Sequence, residues 1–250
     1  MFGYEWFALS GVALAVLAGG LAKGLTAIGL PIIFLVIAVN FVPPQAAVAI
    51  ITIPILVTNL WQVCRGGSIL EPIKRFWLMI IPFVICMYIG SLIVASVDSS
   101  TMFLLIGISV LIFTVSQLVT PMKTPLSPIL EKVLAPVAGI IGGLMGGIST
   151  VWGPPLMMYL FTLHLPKDMW TRTIGAVYLI GAVPLTIFYW KNGILNPGNV
   201  WLSVAACVPV MIGTIIGESL RKYVNEALFR KILLIALFVM GLNMLRRALF

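Results

Sequence analysis

The sequence predicts an all-α integral membrane protein with two inverted-topology repeats, each formed by a broken-helix hairpin and three transmembrane helices. Three observations lead to this fold class. The 250 residues are 61% hydrophobic and 9% charged, whereas a soluble domain has about 25% charged residues, and the apolar blocks reach the roughly 20 residues that cross a bilayer. One glycine-rich motif occurs twice, and most lysines and arginines fall in alternate gaps between the apolar blocks.

The repeated motif spans residues 19–31 and recurs at residues 142–154, an offset of 123. The residues that are identical in the two copies are, in first-copy numbers, Gly19, Gly20, Leu21, Gly24 and Pro31. Further along, Pro82 and Gly90 match Pro209 and Gly217 at an offset of 127, so the intervening loop differs by four residues. Internal similarity at fixed offsets is typical of a duplicated membrane transporter.

The first repeat, residues 1–119, begins with a predicted hairpin over residues 6–42. Glycines, a hydroxyl residue and a proline inside the apolar run favour a helix break at residues 23–29. As a helix, the second arm is roughly 20 Å long and a bilayer is about 30 Å thick, which favours a hairpin that enters the membrane partway. Two tilted spans are the alternative. Three predicted transmembrane helices follow, at residues 45–64, 76–96 and 101–119.

A linker at residues 120–128 contains three prolines, which predicts a stiff, exposed connection between the halves. The second repeat, residues 129–250, keeps the order of the first. Its predicted elements are a hairpin over residues 129–163 with a break at 145–153, and helices at 169–189, 200–220 and 229–245.

The lysines and arginines indicate how the halves are oriented. Inverted repeats place eleven of these 15 residues on one side of the membrane and leave Lys23 in the first break; the other side has three, Lys191, Arg246 and Arg247. Parallel repeats divide the same residues eight against six. The positive-inside rule therefore favours inverted repeats with both termini outside, although Arg246 and Arg247 fit an external C-terminus poorly.

The two breaks predict a substrate site at the centre of the membrane. In inverted repeats the hairpins enter from opposite leaflets, so their tips meet near the midplane, where rocking of one half exposes the site to either side. The second arms begin just after the breaks, and helix N-termini offer amide donors and a partial positive charge. An anion is therefore the expected ligand.

Candidate substrate-binding residues lie in the breaks and in the helices that follow them. Lys23 requires a negative partner or water at membrane depth; the alternative is that it reaches the surface or a carbonyl group. Asn59 and Gln62 share a helix face and either line the path or join helices. The other candidates are Thr26, Ser149, Thr150, Trp152, Arg172 and Tyr178.

Several candidates have a second interpretation. Arg172 fits an oxyanion with two contacts, or is an ordinary residue of the positive side. Trp152 either stacks on substrate or packs the hairpin tip. Glu218 and His164 are candidates for proton coupling, with His164 otherwise a loop-end packing residue.

Other classes of function are disfavoured. The net charge of +8 is spread over short gaps, which argues against nucleic acid. The sequence has one histidine and none of the common catalytic, nucleotide-binding or metal-binding motifs, so we expect no enzyme activity, cofactor or metal. Cys64, Cys86 and Cys207 are expected to be buried free thiols.

Over essentially its whole length the chain resembles the TauE/SafE sulfite-exporter family. The matching stretches are Gly-Gly-Leu-Ala-Lys-Gly-Leu-Thr-Ala-Ile-Gly-Leu-Pro at 19–31, Pro-Pro-Gln-Ala-Ala at 43–47, Pro-Ile-Leu-Val-Thr-Asn-Leu-Trp-Gln at 54–62 and the degenerate second copy. The resemblance implies a multi-pass permease of the bacterial inner membrane for sulfite or for sulfonates such as sulfoacetate. Gly146 replaces Lys23 and Trp152 replaces Gly29 in the second copy, so we expect an asymmetric site.

The leading hypothesis is an alternating-access exporter whose partners are a small anion and membrane lipid. A negative cell interior favours anion export by about 2.3 kcal/mol per charge per 100 mV. An anion channel and a non-transporting membrane partner protein are the alternatives. Both a monomer and a homodimer are compatible with the sequence.

Overall fold

The computed structural model describes residues 6–27, 29–66, 69–116, 127–224 and 226–249. These residues form twelve helices and no strand: α1 (Trp6–Thr26), α2 (Leu30–Ala38), α3 (Pro44–Gly66), α4 (Leu70–Arg75), α5 (Trp77–Ser96), α6 (Ser99–Ser116), α7 (Pro128–Ser149), α8 (Gly153–Phe161), α9 (Lys167–Lys191), α10 (Val200–Ala205), α11 (Cys207–Leu220) and α12 (Glu226–Leu249). Residues 117–126, which include most of the predicted linker and the end of the predicted helix 101–119, lie outside the described residues.

Six helical segments of the described chain are long and apolar enough to cross a membrane, which confirms the predicted class of all-α membrane protein. They are Trp6–Thr26, Pro44–Arg65, Trp77–Ser96, Pro128–Ser149, Arg172–Lys191 and Val200–Leu220. By contrast, α2 and α8 have nine residues each, a length of about 14 Å that reaches halfway through a bilayer. Each predicted hairpin therefore has one long arm and one short arm.

Each short helix folds back along the long helix before it. Gly19 of α1 faces Leu30 and Phe34 of α2, while Gly11 faces Phe41, beyond the end of α2. In the second half, Gly142 of α7 faces a leucine of α8 in the same way. The missing side chains leave room for the returning arm, so the hairpins close tightly.

The predicted breaks at residues 23–29 and 145–153 are wrong in length, because the helices continue into both. α1 ends at Thr26, so Lys23 lies in its last turn, and α7 continues to Ser149. The chain reverses at Ala27 (φ 65°) and Thr150 (φ 58°). These two residues occupy equivalent positions of the repeat, and both adopt the left-handed conformation.

The glycines of the motif do not break the helices; they let helices of opposite halves cross with their backbones in contact. A Cβ atom at Gly24 of α1 would lie 2.8 Å from the Cα of Gly217 in α11. A Cβ atom at the equivalent Gly147 of α7 would lie 2.9 Å from the Cα of Gly90 in α5. Small residues that allow such close approach favour helix association in lipid, where the hydrophobic effect does not drive it.

Two pairs of equivalent helices, α3 with α9 and α6 with α12, run antiparallel. Asn59 of α3 bonds to Tyr178 of α9, and Val63, further along α3, lies near Gly175, which comes earlier in α9. Likewise, Ser100 near the start of α6 bonds to Ala248 near the end of α12, and Gly107, further along α6, lies near Gly241, which comes earlier in α12. This is the relation that inverted repeats require, while the side of the membrane that each end faces stays a prediction.

Positive residues gather at one end of the bundle, where three ion pairs between described residues join the first half to the second. They are Arg65–Glu218 at 2.7 Å, Arg75–Glu131 at 3.9 Å and Arg172–Glu71 at 4.0 Å. We call the end defined by these six residues the positive end.

Arg247, which fits an external C-terminus poorly, has a structural role at the opposite end. Its guanidinium donates to the carbonyl oxygen of Val39, 3.2 Å away. Val39 follows the last residue of α2, and basic side chains commonly satisfy carbonyl groups at helix C-termini.

A serine of the second half hydrogen-bonds to the backbone of α3 in the first half, at the point where a proline interrupts the bonding of that helix. Pro54 lies inside α3 and has no N–H, so the carbonyl group of Ile50 lacks its usual partner. The hydroxyl of Ser203 in α10 donates to that carbonyl oxygen at 2.8 Å and accepts from the N–H of Ile53 at 3.1 Å. Ser203 is fully buried, so these bonds tie α3 to α10 in the apolar interior.

Ser203→Ala leaves the Ile50 carbonyl and the Ile53 amide without this partner. We expect the free energy of unfolding to fall by about 1–2 kcal/mol, as for other hydrogen bonds between membrane helices. Equilibrium unfolding in mixed micelles measures the change. Ser219→Ala is the matched control, because the Ser219 hydroxyl is exposed and bonds only to its own helix; equal losses in the two variants contradict the assignment.

Gly147→Ala tests the backbone crossing of α5 and α7. The added methyl group would lie 2.2 Å from the carbonyl oxygen of Met87, so the helices must separate, and we expect a loss of about 1–3 kcal/mol in unfolding free energy. At Gly175 a methyl group meets only a side chain at 3.5 Å. Gly175→Ala is therefore expected to be neutral or stabilising, by up to about 1 kcal/mol, and a similar loss in both variants contradicts the proposed crossing.

Candidate functional site

The tips of both hairpins line one cavity between the two halves. Its volume is about 30 Å³. The lining residues of the described chain are Lys23, Gly29, Leu30, Pro31, Ile32, Ile55, Asn59, Phe113, Thr150, Val151, Trp152, Gly153 and Tyr178. Lys23 is the only charged residue among them, and the lining includes no aspartate or glutamate.

Lys23 is buried, with 6% of its surface exposed, and it points at neutral oxygen atoms. Its ammonium group donates to the hydroxyl of Thr58 at 3.1 Å and to the side-chain carbonyl of Asn59. The amide nitrogen of Asn59 in turn donates to the backbone carbonyl of Tyr178 at 3.1 Å. A hydrogen-bonded chain thus runs from α1 through α3 to α9 and leaves the charge of a protonated lysine without a carboxylate partner.

Two helix N-termini also face the cavity. α2 begins at Leu30 and α8 at Gly153, and both residues line the cavity. The first amide groups of a helix have no partner inside it, so each N-terminus carries a partial positive charge. Proline follows the first residue of both helices and supplies no N–H, which leaves the neighbouring amides as donors for an anion.

Thr150 adds a hydroxyl group in an unusual conformation. It is fully buried, its backbone is left-handed, and its hydroxyl has no hydrogen-bond partner among the described residues. A β-branched residue rarely adopts this conformation, and an unpartnered polar group in the interior costs free energy. A ligand oxygen atom in the cavity would satisfy this hydroxyl.

Aromatic rings form one wall of the cavity. The ring of Trp152 lies 6.0 Å from that of Tyr178 and 6.3 Å from that of Phe83, edge to face in both cases. Trp152 is 3% exposed, so its indole fills the second hairpin tip. The tip of the first hairpin, at the equivalent Gly29, has no side chain.

The structure brings together Lys23, Asn59, Thr150, Trp152 and Tyr178 of the predicted residues. Two residues of the site were not predicted: Thr58, which accepts a hydrogen bond from Lys23, and Phe113 of α6, which lines the cavity. Thr58 precedes Asn59 in the sequence, and a hydroxyl beside an intramembrane amide was the available signal. Phe113 is one of many apolar residues, and nothing in its sequence context distinguishes it.

The remaining candidates lie outside the cavity lining. The hydroxyls of Thr26 and Ser149 donate to carbonyl groups of their own helices, Ala22 and Met145, each at 2.8 Å. Gln62 lies one turn beyond Asn59 toward the positive end, and its side-chain oxygen is buried without a hydrogen-bond partner.

Arg172 and Glu218 take part in ion pairs of the positive end, with Glu71 and Arg65. His164 is exposed, and its ring nitrogen lies 3.1 Å from the carbonyl oxygen of Thr162. The described residues contain no group of three histidine, cysteine, aspartate or glutamate side chains that would hold a metal ion. The three cysteines are free, but the expectation of burial is wrong for Cys64, which is exposed near the end of α3.

One protein family has a sequence model that matches the chain. The family is described as sulfite exporter TauE/SafE, and the match covers residues 12–244, which include both hairpin tips and every described residue that lines the cavity. No curated protein and no solved structure matches the chain.

Proposed function

The chain belongs to the TauE/SafE sulfite exporter family, and on that premise we propose that it moves sulfite or an organosulfonate such as sulfoacetate outward across a bacterial inner membrane. It is a multi-pass membrane protein of a transporter family. The observation that carries the proposal is that Lys23 is buried at the same cavity as two helix N-termini, and that the described lining of this cavity contains no carboxylate.

The electrostatics of the cavity support an anionic substrate. A buried ammonium group loses its hydration, and neutral oxygen atoms replace water only in part. An anion in the cavity supplies the missing opposite charge, and the hydroxyl of Thr150 and the amides at the starts of α2 and α8 supply hydrogen bonds. A cation would be repelled by the same groups.

The ion pairs of the positive end support transport by alternating access rather than an open channel. On this proposal the Arg65–Glu218 pair lies across the route on that side, since Arg65 is six residues beyond Asn59 in α3, about 9 Å along the helix. Glu218 follows Gly217, which touches Gly24 next to Lys23. Breaking pairs between the halves at this end would open the cavity there.

Lys23→Met tests the substrate site. The variant removes the only charged group of the cavity lining, and we expect uptake of labelled sulfite by proteoliposomes to fall at least roughly ten-fold, as when one partner of a buried charge pair is lost. Lys132→Met is the matched control, because Lys132 is exposed on α7 and its loss should leave uptake unchanged. Unchanged uptake in Lys23→Met removes the lysine from the site.

Counterflow in the same vesicles separates a carrier from the alternatives. Unlabelled sulfite on one side should accelerate entry of labelled sulfite from the other if the protein alternates between two states. Flux that does not saturate and shows no counterflow supports an anion channel, and the absence of any flux supports a non-transporting partner protein.

Arg65→Glu tests the closure of the positive end. Repulsion from Glu218 should open the route, so Thr58→Cys, placed in a background without the native cysteines, should react faster with a membrane-impermeant thiol reagent added at that end. Combining Arg65→Glu with Glu218→Arg restores the pair and should restore slow labelling. Lys222→Glu makes the same change of charge at this end as a control, and equal labelling rates in all variants contradict the role of the ion pair.

A further inference from the structure

We infer that Trp152 sets the size limit of the substrate site, so that the cavity accepts a compact inorganic oxyanion such as sulfite and excludes sulfonates that carry an organic tail. The inference rests on the proposed transport of a sulfur anion through this cavity. It selects one substrate class from the two that the family resemblance and the electrostatics leave open.

Trp152 is packed closely against two aromatic rings and two glycines. Phe83 and Tyr178 meet its ring edge to face. Gly146 and Gly181 lie against it: a Cβ atom at Gly146 would lie 3.0 Å from the Cβ of Trp152, and one at Gly181 would lie 3.2 Å from its indole ring. Contacts of this kind leave little freedom for the ring to swing away from an incoming ligand.

The first copy of the repeat shows how the cavity looks without this ring. The residue equivalent to Trp152 is Gly29, and a Cβ atom there would meet only Ile33, at 3.9 Å. The first hairpin tip is therefore open where the second is filled. The indole occupies space on one side of the cavity that a larger ligand would need.

The open space is small. The cavity volume is about 30 Å³, so a ligand longer than a compact oxyanion has to displace a lining side chain. Sulfite is a sulfur atom with three oxygens, whereas sulfoacetate carries the same oxyanion head and a carboxymethyl tail. If Lys23 and the helix N-termini bind the oxyanion head, the tail of sulfoacetate would clash with the side chains of Trp152, Ile55 and Phe113.

Competition against labelled sulfite in proteoliposomes tests the inference, with methanesulfonate and sulfoacetate as competitors of increasing size. In the wild type we expect both sulfonates to compete weakly. In Trp152→Leu, competition by sulfoacetate relative to unlabelled sulfite should improve by roughly ten-fold or more, because each buried methylene group accounts for a factor of that order in a fitted pocket. Trp152→Phe, which keeps an aromatic ring in the cluster, should give an intermediate ratio.

A second measurement covers the case in which a variant is inactive in transport. Ligands that bind the folded state raise its melting temperature, so a thermal-shift titration of purified variants with sulfite and sulfoacetate gives the same ratio without turnover. Trp190→Leu is the matched control, because Trp190 is 52% exposed near the end of α9 and should keep the wild-type ratio.

The outcomes separate the inference from the proposed function. If the wild type binds and moves sulfite but sulfoacetate competes equally well, or if the ratio is unchanged in Trp152→Leu and Trp152→Phe, the size limit is overturned and sulfite transport stands. If the wild type neither binds nor moves sulfite or a sulfonate, the proposed function fails and the inference fails with it.

Discussion

A buried ammonium group without an opposite charge is the constraint on which the arrangement of the helices depends. Lys23 can stay inside an apolar bundle only if other dipoles replace its water, and here those dipoles come from Thr58 and Asn59. Both residues must hold their positions, so α3 is fixed at two points: Asn59 bonds to the backbone of α9, and Ser203 of α10 binds the backbone of α3 beside Pro54. The binding site is thus organised by the same hydrogen bonds that join the two halves.

The close crossings between helices join each hairpin to a helix of the opposite half. The hairpin of α1 and α2 is packed against α11, and the hairpin of α7 and α8 against α5, through glycines whose backbones touch. Backbones in contact leave little room for sliding. If one hairpin tip moves relative to the other, as the proposed transport requires, we therefore expect its partner helix to move with it, so that the moving units differ from the two sequence repeats.

Sequence reasoning predicted the membrane fold class, the repeat and the position of most helices, because hydrophobic blocks and repeat offsets report these directly. It overestimated the length of the breaks, because a single sequence does not distinguish a glycine that ends a helix from a glycine that allows close packing of another helix. It named five residues of the cavity lining from polar and aromatic types near the breaks, and their roles in binding are predictions that transport assays must test. Arg172 and Glu218 were predicted as site residues because they are charged and lie near the membrane. Their ion pairs with Glu71 and Arg65 could not be predicted from side-chain charge alone.

The two departures from repeat symmetry at the cavity have one structural cause. A lysine at position 146 would add a second ammonium group beside the second hairpin tip, where Trp152 and Met87 are the nearest side chains. The glycine at that position also makes room for Trp152, whose Cβ atom would lie 3.0 Å from a Cβ atom at Gly146. Even a methyl group at 146 would press on Trp152 and require it to shift by a few tenths of an ångström, and the longer side chain of a lysine would compete with the indole for the same space. Losing the second charge and gaining an aromatic wall are coupled changes, and together they turn two related hairpin tips into one site with a charged side and an apolar side.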